Sequence, residues 1–400
     1  MLVVSAFGAS SVGAAAPACQ AYDTTSGASP TDLTSALVAA APGDTIGIAG
    51  FCSGRWELAK SVTLIRQSSL SVATLYGDAT NPVLLVDPGV TATIRGLTVR
   101  HGEPGITVHG ALAITGNSVI RDNSGTYGGV LVNSGGTLHV TGSTLITANS
   151  AGYFGGGDGG GIAGNNAVLT VDGDARIVGN IASRNGDGGG GGIAAGNGTL
   201  TIGGYARVNG NSAVGGGGIV TGGANTTIIR GHAQIDNNQA AANGAGGGVE
   251  LDDPSATLTI TGNAQVDGNT AGEGAGIVNV RGKTTIGGYA QVSGNHATDA
   301  TAEGGGGGIL NTGGTINLQG QAQVDNNTSA TRGGGIWSWF GSIVRISGFA
   351  QVIHNTASTT SGGVGLQDAT DKLIGCTTWT GAISPNTPDD SPLITPATHC

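Results

Sequence analysis

Short runs of alternating apolar and polar residues recur along most of the chain. The run Thr257–Ile260 reads T-L-T-I, and a glycine, an A-x-V triplet and an asparagine follow it. Copies of this pattern, counted from the glycine before the triplet, begin every 26 to 32 residues between positions 116 and 348. Because side chains alternate between the two faces of a strand, each run predicts a strand with one apolar face. A repeat of this length is typical of a solenoid.

Each repeat predicts three strands: one after a run of glycines, one at the T-L-T-I segment and one at the A-x-V triplet. Alternation places the apolar positions of the last two strands inside the solenoid, in columns of like residues. These columns are Leu138, Leu169, Leu200, Leu258, Ile316 and Val344; Val140, Val171, Ile202, Ile260, Ile286 and Ile346; and Ala175, Ala206, Ala233, Ala264, Ala290, Ala322 and Ala350. The predicted fold is all-β, a single-stranded parallel β-helix.

One asparagine per repeat stands at the turn after the third strand. A side-chain amide can bond both to turn backbone and to its copy in the next coil, so this column predicts an asparagine ladder. N-glycosylation is the alternative, but Asn327 meets the N-x-S/T pattern and most of the others do not. The predicted rungs are Asn123, Asn149, Asn180, Asn211, Asn238, Asn269, Asn295, Asn327 and Asn355.

The start of the chain has a different pattern. Ser29 as N-cap and Pro30 as first helical residue predict a helix over about 30–41, with a strand at Thr45–Ala49 behind it. Such a helix would cover the open end of the solenoid core. The predicted organisation is a cap at 19–60, a β-helix at 61–375 and a terminal segment at 376–400.

Composition narrows the class of protein. Glycine accounts for 79 of 400 residues without a G-x-y period, so the chain is not collagen-like, and 10% charged residues argue against disorder. The net charge of −10 makes nucleic acid a poor partner. No segment reaches 18 consecutive apolar residues, so no transmembrane helix is expected.

The apolar residues 1–18 end in small residues, which predicts a secretory signal peptide and an extracellular protein. The cysteines lie outside the repeats as two pairs. Three connectivities exist; Cys19–Cys52 and Cys376–Cys400 are favoured because each pair would close one end of the rod.

Two phrases carry a family resemblance. They are the segment Ala41–Ile46 (A-P-G-D-T-I) after the helix and the segment Gly89–Val99. In these segments, and in the repeated G-G-G-I and G-T-L-T-I phrases, the chain resembles secreted bacterial right-handed parallel β-helix proteins. These belong to the pectate-lyase-like superfamily, and the repeats are also similar to those of surface adhesins and polymorphic outer-membrane proteins. The resemblance implies a right-handed coil and leaves the activity open, since the fold hosts lyases, hydrolases and adhesins.

Pectate lyases, which the chain resembles, use clustered carboxylates for Ca²⁺ and an arginine as base. The nearest cluster here is Glu250, Asp252 and Asp253, with Arg281 one coil on. Alternation points Glu250 and Asp252 outward. The alternative is a solvated acidic turn that pairs with a cation across coils.

Asp236 and Asp267 fall one coil apart in one outward column, close enough to repel each other or to share Ca²⁺. Solvated aspartates without metal are the alternative, and no other cofactor is expected. An adjacent glutamine column, Gln234 to Gln351, predicts a second hydrogen-bonded ladder.

Aromatic residues are scarce at 4% of the chain. Trp337 and Trp339 cluster in one coil, and Tyr205 and Tyr289 share one position in two others, so these four are candidates for stacking on sugar rings. Packing of the tryptophans against the C-terminal segment is the alternative.

The leading hypothesis is a secreted, monomeric, non-catalytic rod at the cell surface or in the extracellular matrix that presents its loop edge to a glycan or a protein. The alternative is a polysaccharide lyase or glycoside hydrolase acting on acidic polysaccharide.

Overall fold

The repeats coil into a parallel β-solenoid. The structure is a computed structural model and describes residues 18–27, 32–68, 72–152, 158–183, 189–301, 304–376 and 379–388, and the backbone of 394–397. Strands from successive coils pair in parallel and in register along the rod, for example Thr257–Ile260 with Lys283–Ile286. The predicted parallel β-helix is confirmed, whereas the right-handed sense of the coil stays a prediction.

Sheet 1 contains the strands that follow the glycine runs. Its twelve strands are Trp56–Leu58, Leu84–Val86, Ile106–Val108, Val130–Val132, Ile162–Asn165, Ile193–Gly196, Ile219–Gly222, Val249–Leu251, Ile277–Val280, Ile309–Thr312, Ile336–Trp339 and Val364–Leu366.

Sheet 2 contains the T-L-T-I segments. Its strands are Gln20–Asp23, the first part of Thr45–Ser53, Thr63–Arg66, Thr91–Arg95, Ala111–Thr115, Thr137–Val140, Val168–Val171, Thr199–Ile202, Thr226–Ile229, Thr257–Ile260, Lys283–Ile286, Thr315–Leu318, Ile343–Ile346, Lys372–Cys376 and Ile394–Ala397.

Sheet 3 contains the A-x-V segments. Its strands are the second part of Thr45–Ser53, then Ala73–Tyr76, Thr98–Arg100, Val119–Arg121, Leu145–Thr147, Arg176–Val178, Arg207–Asn209, Gln234–Asp236, Gln265–Asp267, Gln291–Ser293, Gln323–Asp325 and Gln351–Ile353.

A fourth set of strands, only two residues each, follows the asparagine turn in most coils and was not predicted. These strands form sheet 4: Ser124–Gly125, Ser150–Ala151, Ser212–Ala213, Gln239–Ala240, Thr270–Ala271, His296–Ala297, Thr328–Ser329 and Thr356–Ala357.

The predicted core columns all face inward. Every leucine, valine, isoleucine and alanine assigned to them is at most 1% exposed, and they form one continuous apolar core with the inward residues of sheet 1. No single coil encloses this core, so burial of apolar surface binds each coil to its neighbours.

The asparagine ladder is confirmed and is one rung longer than predicted. From Asn123 to Asn355, the Nδ2 of each asparagine donates to the Oδ1 of the next over 2.9–3.1 Å. The tenth rung is Asn386. All the predicted rungs are at most 1% exposed, so Asn327 is not accessible as a glycan acceptor.

The turn before each rung explains why the pattern reads G-N or N-N. The residue before each of the nine predicted rungs has a positive φ, as at Gly268 (61°) and Asn237 (54°), and glycine and asparagine adopt this conformation with little strain. The glycine run is linked to the ladder too. A Cβ at Gly248 would lie 2.9 Å from the Nδ2 of Asn269, so a larger residue there would displace the rung.

The N-terminal cap differs from its prediction in its details. The helix spans Leu33–Ala39, and its N-cap is Asp32, whose carboxylate accepts from the backbone N–H of Ser35. Ser29 and Pro30 lie outside the described residues, and the helix begins after them. Leu33 and Ala36 face the core. The strand Gln20–Asp23 pairs antiparallel to Thr45–Ser53 and was not predicted.

The two predicted disulfides have different outcomes. Cys19 and Cys52 are bonded and tie the first strand region to sheet 3, as predicted. The pairing of Cys376 with Cys400 falls partly on position 400, which lies outside the described residues. Within the described part of the chain, no helix is long and apolar enough to cross a membrane.

Candidate functional site

One corner of the rod carries an exposed side chain in each of six successive coils. At the turn from sheet 2 to sheet 3 a glycine adopts positive φ, as at Gly204 (59°) and Gly288 (65°), and the next residue projects outward. The turns stack through backbone hydrogen bonds, such as that from Tyr289 N to Gly262 O at 2.8 Å. We call this column the corner ridge; its residues are Tyr205, His232, Asn263, Tyr289, Gln321 and Phe349.

The ridge keeps its aromatic rings in solvent. Tyr205, Tyr289 and Phe349 are 61%, 58% and 62% exposed, which is unusual for large apolar side chains. The Tyr205 ring is parallel to that of His232, with centroids 4.9 Å apart. Gln321 Nε2 donates to the hydroxyl of Tyr289 over 3.2 Å. Neighbours therefore orient the rings while leaving a large part of each free to contact a ligand.

The ridge residues were only partly found from the sequence. Tyr205 and Tyr289 were predicted together as ligand-binding candidates, whereas His232 and Phe349 were not among the candidates. The sequence does contain a signal for the ridge, because each ridge residue directly follows the glycine that begins the sheet 3 segment.

The tryptophan prediction is wrong for Trp337. Alternation points it outward from sheet 1, but the glycine-rich loops cover that face, and Trp337 is 4% exposed. It packs with Val278 and Leu310, and the Arg332 guanidinium lies 5.5 Å from its ring centroid. Its partners are therefore sheet 1 residues and a loop. A sugar ring has no access to it.

Trp339 is half-buried at the edge of the same cluster. Its Nε1 donates to Thr312 Oγ1 over 2.7 Å, and its ring contacts that of Phe340, with centroids 4.7 Å apart. Phe340 is 67% exposed. Only part of the predicted aromatic cluster is thus accessible, and it lies at the turn from sheet 1 to sheet 2, away from the ridge.

The predicted catalytic carboxylates and Arg281 lie in neighbouring coils, and the register of Leu251 with Asn279 places Asp253 beside Arg281. Asp253 accepts from the backbone N–H of Ser255, and Asp252 is exposed. Arg281 lines a groove on sheet 2, and among the described residues no salt bridge joins it to a carboxylate. The predicted base is therefore not paired with the predicted metal-binding carboxylates.

Glu250 is the exception among these carboxylates. It lies in the outward column of sheet 1 between Val220 and Val278, where loops enclose its carboxyl group. Burial, and secondarily the charges of Asp252 and Glu273, raise the pKa of Glu250 to about 7. A carboxyl group that is partly protonated near neutral pH can donate a proton, as a general acid must.

A groove of about 640 Å³ runs along the outer face of sheet 1 ahead of Glu250. Ala163 and Ala194 form part of its floor, and Asp158 and Asp252 contribute carboxylates to its walls. Burial raises the pKa of Asp158, whose carboxylate accepts from Gly189 N. Among the described residues that line this groove there is no arginine or lysine.

The predicted calcium pair has the expected register but few ligands. Asp236 and Asp267 are direct neighbours across sheet 3. Burial, with the charges of Asp236 and Asp325, raises the pKa of Asp267. Asp236 accepts from Asn209 Nδ2 over 2.7 Å. Within the described ranges, nowhere do three His, Cys, Asp or Glu side chains meet as they would around a metal ion. Ca²⁺ binding stays a prediction.

The glutamine ladder beside these aspartates is present from Gln234 to Gln323, part of the predicted range. Gln234, Gln265 and Gln291 donate in turn to the next glutamine over 3.2–3.5 Å. This outer surface of sheet 3 satisfies its own amides and is a structural feature.

Comparison of the chain with protein-family models, with curated proteins and with solved structures found no match.

Proposed function

We propose that the chain is a secreted, non-catalytic β-helix of the pectate-lyase-like kind that binds a glycan along its corner ridge. It acts as a monomeric rod in an adhesive or structural role at the cell surface or in the extracellular matrix. The observation that carries the proposal is the line of exposed rings at Tyr205, Tyr289 and Phe349, each held at the same turn of its coil.

The ridge has the length and chemistry for a chain of sugars. Tyr205 and Phe349 are five coils apart, or about 24 Å at the spacing of neighbouring strands. Aromatic faces pack against the C–H faces of sugar rings, and the amides of Asn263 and Gln321 can bond hydroxyl groups. Because these side chains stand on rigid backbone turns, binding orders few groups.

The Cys19–Cys52 disulfide supports the extracellular part of the proposal, since structural disulfides persist in oxidising compartments. The absence of an apolar spanning helix among the described residues is compatible with it.

The test measures retention of the protein on insoluble or immobilised polysaccharides. We expect one polysaccharide of a panel to retain the protein and the combined variant Tyr205→Ala, Tyr289→Ala and Phe349→Ala to lose at least tenfold in affinity. Phe340→Ala is the matched control, since it removes an equally exposed ring at another corner. Full retention of the triple variant would refute the ridge as the binding site.

A second candidate function is a glycoside hydrolase or polysaccharide lyase acting on acidic polysaccharide. The raised pKa of Glu250 and its register with Val220, which lines the sheet 1 groove, favour it. Asp252 lies two residues away on the same face of the strand, about 7 Å along it. Release of reducing or unsaturated sugars that is abolished by Glu250→Gln would establish this function in place of the first.

A further inference from the structure

The outer surface of sheet 2 contains a groove of about 720 Å³ that carries three cationic side chains, Arg281, Lys283 and Arg345. Thr285, Thr315, Asn317 and Gln319 line it between them. We call it the cationic groove. We propose that it binds the carboxylate or sulfate groups of an anionic polysaccharide that lies along the rod axis. This inference rests on the proposed glycan-binding function and assigns the class of glycan.

None of the three cations forms a salt bridge within the described part of the chain. Among the described residues, salt bridges join Arg100 and Arg121 to Asp122, and none involves Arg281, Lys283 or Arg345. The outward columns beside them are neutral or basic: Thr257, Thr315, Ile343 and Lys372 share the column of Lys283, and Thr259, Thr285, Asn317 and Ile374 share that of Arg345.

In a chain with net charge −10, the described residues of the Lys283 and Arg345 columns therefore include no carboxylate over four successive coils. Asp253 lies at the edge of this surface, in register with Arg281 of the next coil. Since like charges repel an anion, an anion meets a more favourable potential at these cations than over the acidic parts of the rod. Charged side chains that have no protein partner retain their full capacity to bond an anionic ligand.

The spacing of the cations fits a chain with regularly placed anions. Lys283 and Arg345 stand two coils apart, about 10 Å along the axis. The intervening coil offers Thr315 and Asn317, whose side chains can bond neutral hydroxyl groups. This alternation suits a polysaccharide with an anionic group on every second sugar. A nucleic acid, with its denser charge, would meet the acidic remainder of the rod.

The groove adjoins the corner ridge along the chain. Gln319 lines the groove and Gln321 belongs to the ridge; Ser347 lines the groove and Phe349 belongs to the ridge. One ligand can thus place its sugar rings against the ridge and its anionic substituents in the groove.

The experiment compares three fluorescent polymers with one backbone: dextran, carboxymethyl-dextran and dextran sulfate. Binding of each to the full chain is measured by fluorescence anisotropy at low and at raised salt. We expect an anionic dextran to bind, with an affinity that falls as the salt concentration rises. The double variant Lys283→Gln, Arg345→Gln should lower this affinity by about tenfold. Whichever of carboxymethyl-dextran and dextran sulfate binds more tightly identifies the anionic group.

The matched control is Arg176→Gln with Arg207→Gln. These arginines are exposed neighbours on sheet 3, so this pair changes the net charge by the same amount on another face. Equal losses of affinity in the two double variants would overturn the groove and indicate a general charge effect. Tighter binding of single-stranded oligothymidylate than of both anionic dextrans, lost in the Lys283 and Arg345 variant, would overturn the assignment to polysaccharide.

The two proposals fail in different ways. If the ridge variant loses affinity for a polysaccharide while the Lys283 and Arg345 variant does not, the function stands and the cationic groove is refuted. If only the groove variant loses affinity for the anionic dextrans, the groove is supported and the ridge is refuted.

Discussion

Asn238 and Asn269 are joined by two hydrogen bonds to a single oxygen. The backbone N–H of Asn238 donates to Oδ1 of Asn269 over 2.9 Å, and its side-chain Nδ2 donates to the same atom over 3.0 Å. The Nδ2 also donates to Val208 O in the preceding coil over 2.9 Å. The side chain of each rung therefore satisfies backbone groups of the coil before it, as Asn238 does for Asn211 N and Val208 O, in a place that water does not reach.

Replacing one rung should destabilise the rod. Asn238→Ala removes the acceptor of Asn211 and the donor to Val208 O, and it leaves these buried groups without partners. We expect the free energy of unfolding to fall by about 2 to 3 kcal/mol, measured by urea denaturation. Asn263→Ala removes an exposed asparagine of the ridge and should change it by less than about 0.5 kcal/mol. Equal effects of the two substitutions would contradict the structural role of the ladder.

Glu250 should make the stability of the protein depend on pH near neutrality. Because its pKa rises from 4.5 to about 7 on folding, the native state binds more protons than the unfolded state between these values. Its favourable contribution is complete below pH 4.5 and is lost as the pH rises through 7.

Glu250→Gln removes this titration. Between pH 5 and 8 we expect the wild type to lose stability relative to the variant, by on the order of 2 kcal/mol, in denaturation curves taken at each pH. Val324→Ala is the control: it opens the core without changing a charge, so its curve should run parallel to the wild type. A Glu250→Gln curve parallel to the wild type would show that the carboxyl group titrates normally.

The Cys19–Cys52 bond should stabilise the N-terminal end selectively. It closes a loop with a sequence separation of 33 residues, for which chain entropy predicts about 3 to 4 kcal/mol. In the double variant Cys19→Ala, Cys52→Ala, we expect backbone hydrogen exchange at Thr45–Ser53 and Thr63–Arg66 to be faster than in the wild type. Exchange at the distant strand Thr315–Leu318 serves as the internal reference and should not change. Uniform acceleration along the whole chain would contradict an end-specific role.

Trp337 should matter for stability. Trp337→Ala would empty a site enclosed by Val278, Leu310 and Arg332, and we expect a loss of about 3 to 5 kcal/mol in chemical denaturation. Phe340→Ala, which removes a ring that is 67% exposed, should cost less than about 0.5 kcal/mol. A cost below 1 kcal/mol for the tryptophan would mean that the loops do not hold it in place.

The coil architecture was predictable because each inward residue, such as Leu258 or Ala264, has copies at equivalent positions in other coils. Repetition makes the two-residue alternation unambiguous. Sheet 4 was missed because its strands span two residues, too few to show a period. The start of the helix was misplaced because Ser29 and Asp32 are both good N-caps, and only the backbone decides between them.

The candidate site was predicted less well, for a different reason. Alternation correctly points Trp337 and Glu250 outward, but it does not reveal that loops enclose the outer face of sheet 1. The cationic groove was missed because Arg281, Lys283 and Arg345 come from separate coils and form no motif along the sequence. Such sites depend on the loops and side chains that lie beside a column of equivalent residues. The sequence pattern of a single repeat does not show these neighbours.

The ladder runs in one direction through ten coils, and every rung makes the same bonds to its neighbours. Removal of residues 238–268 as a block would leave Asn211 facing Asn269, with the same partners on both sides. The rod can therefore be lengthened or shortened by whole coils, in steps of about 4.8 Å, without a new interface. The length of the rod is therefore set by the number of repeats in the sequence.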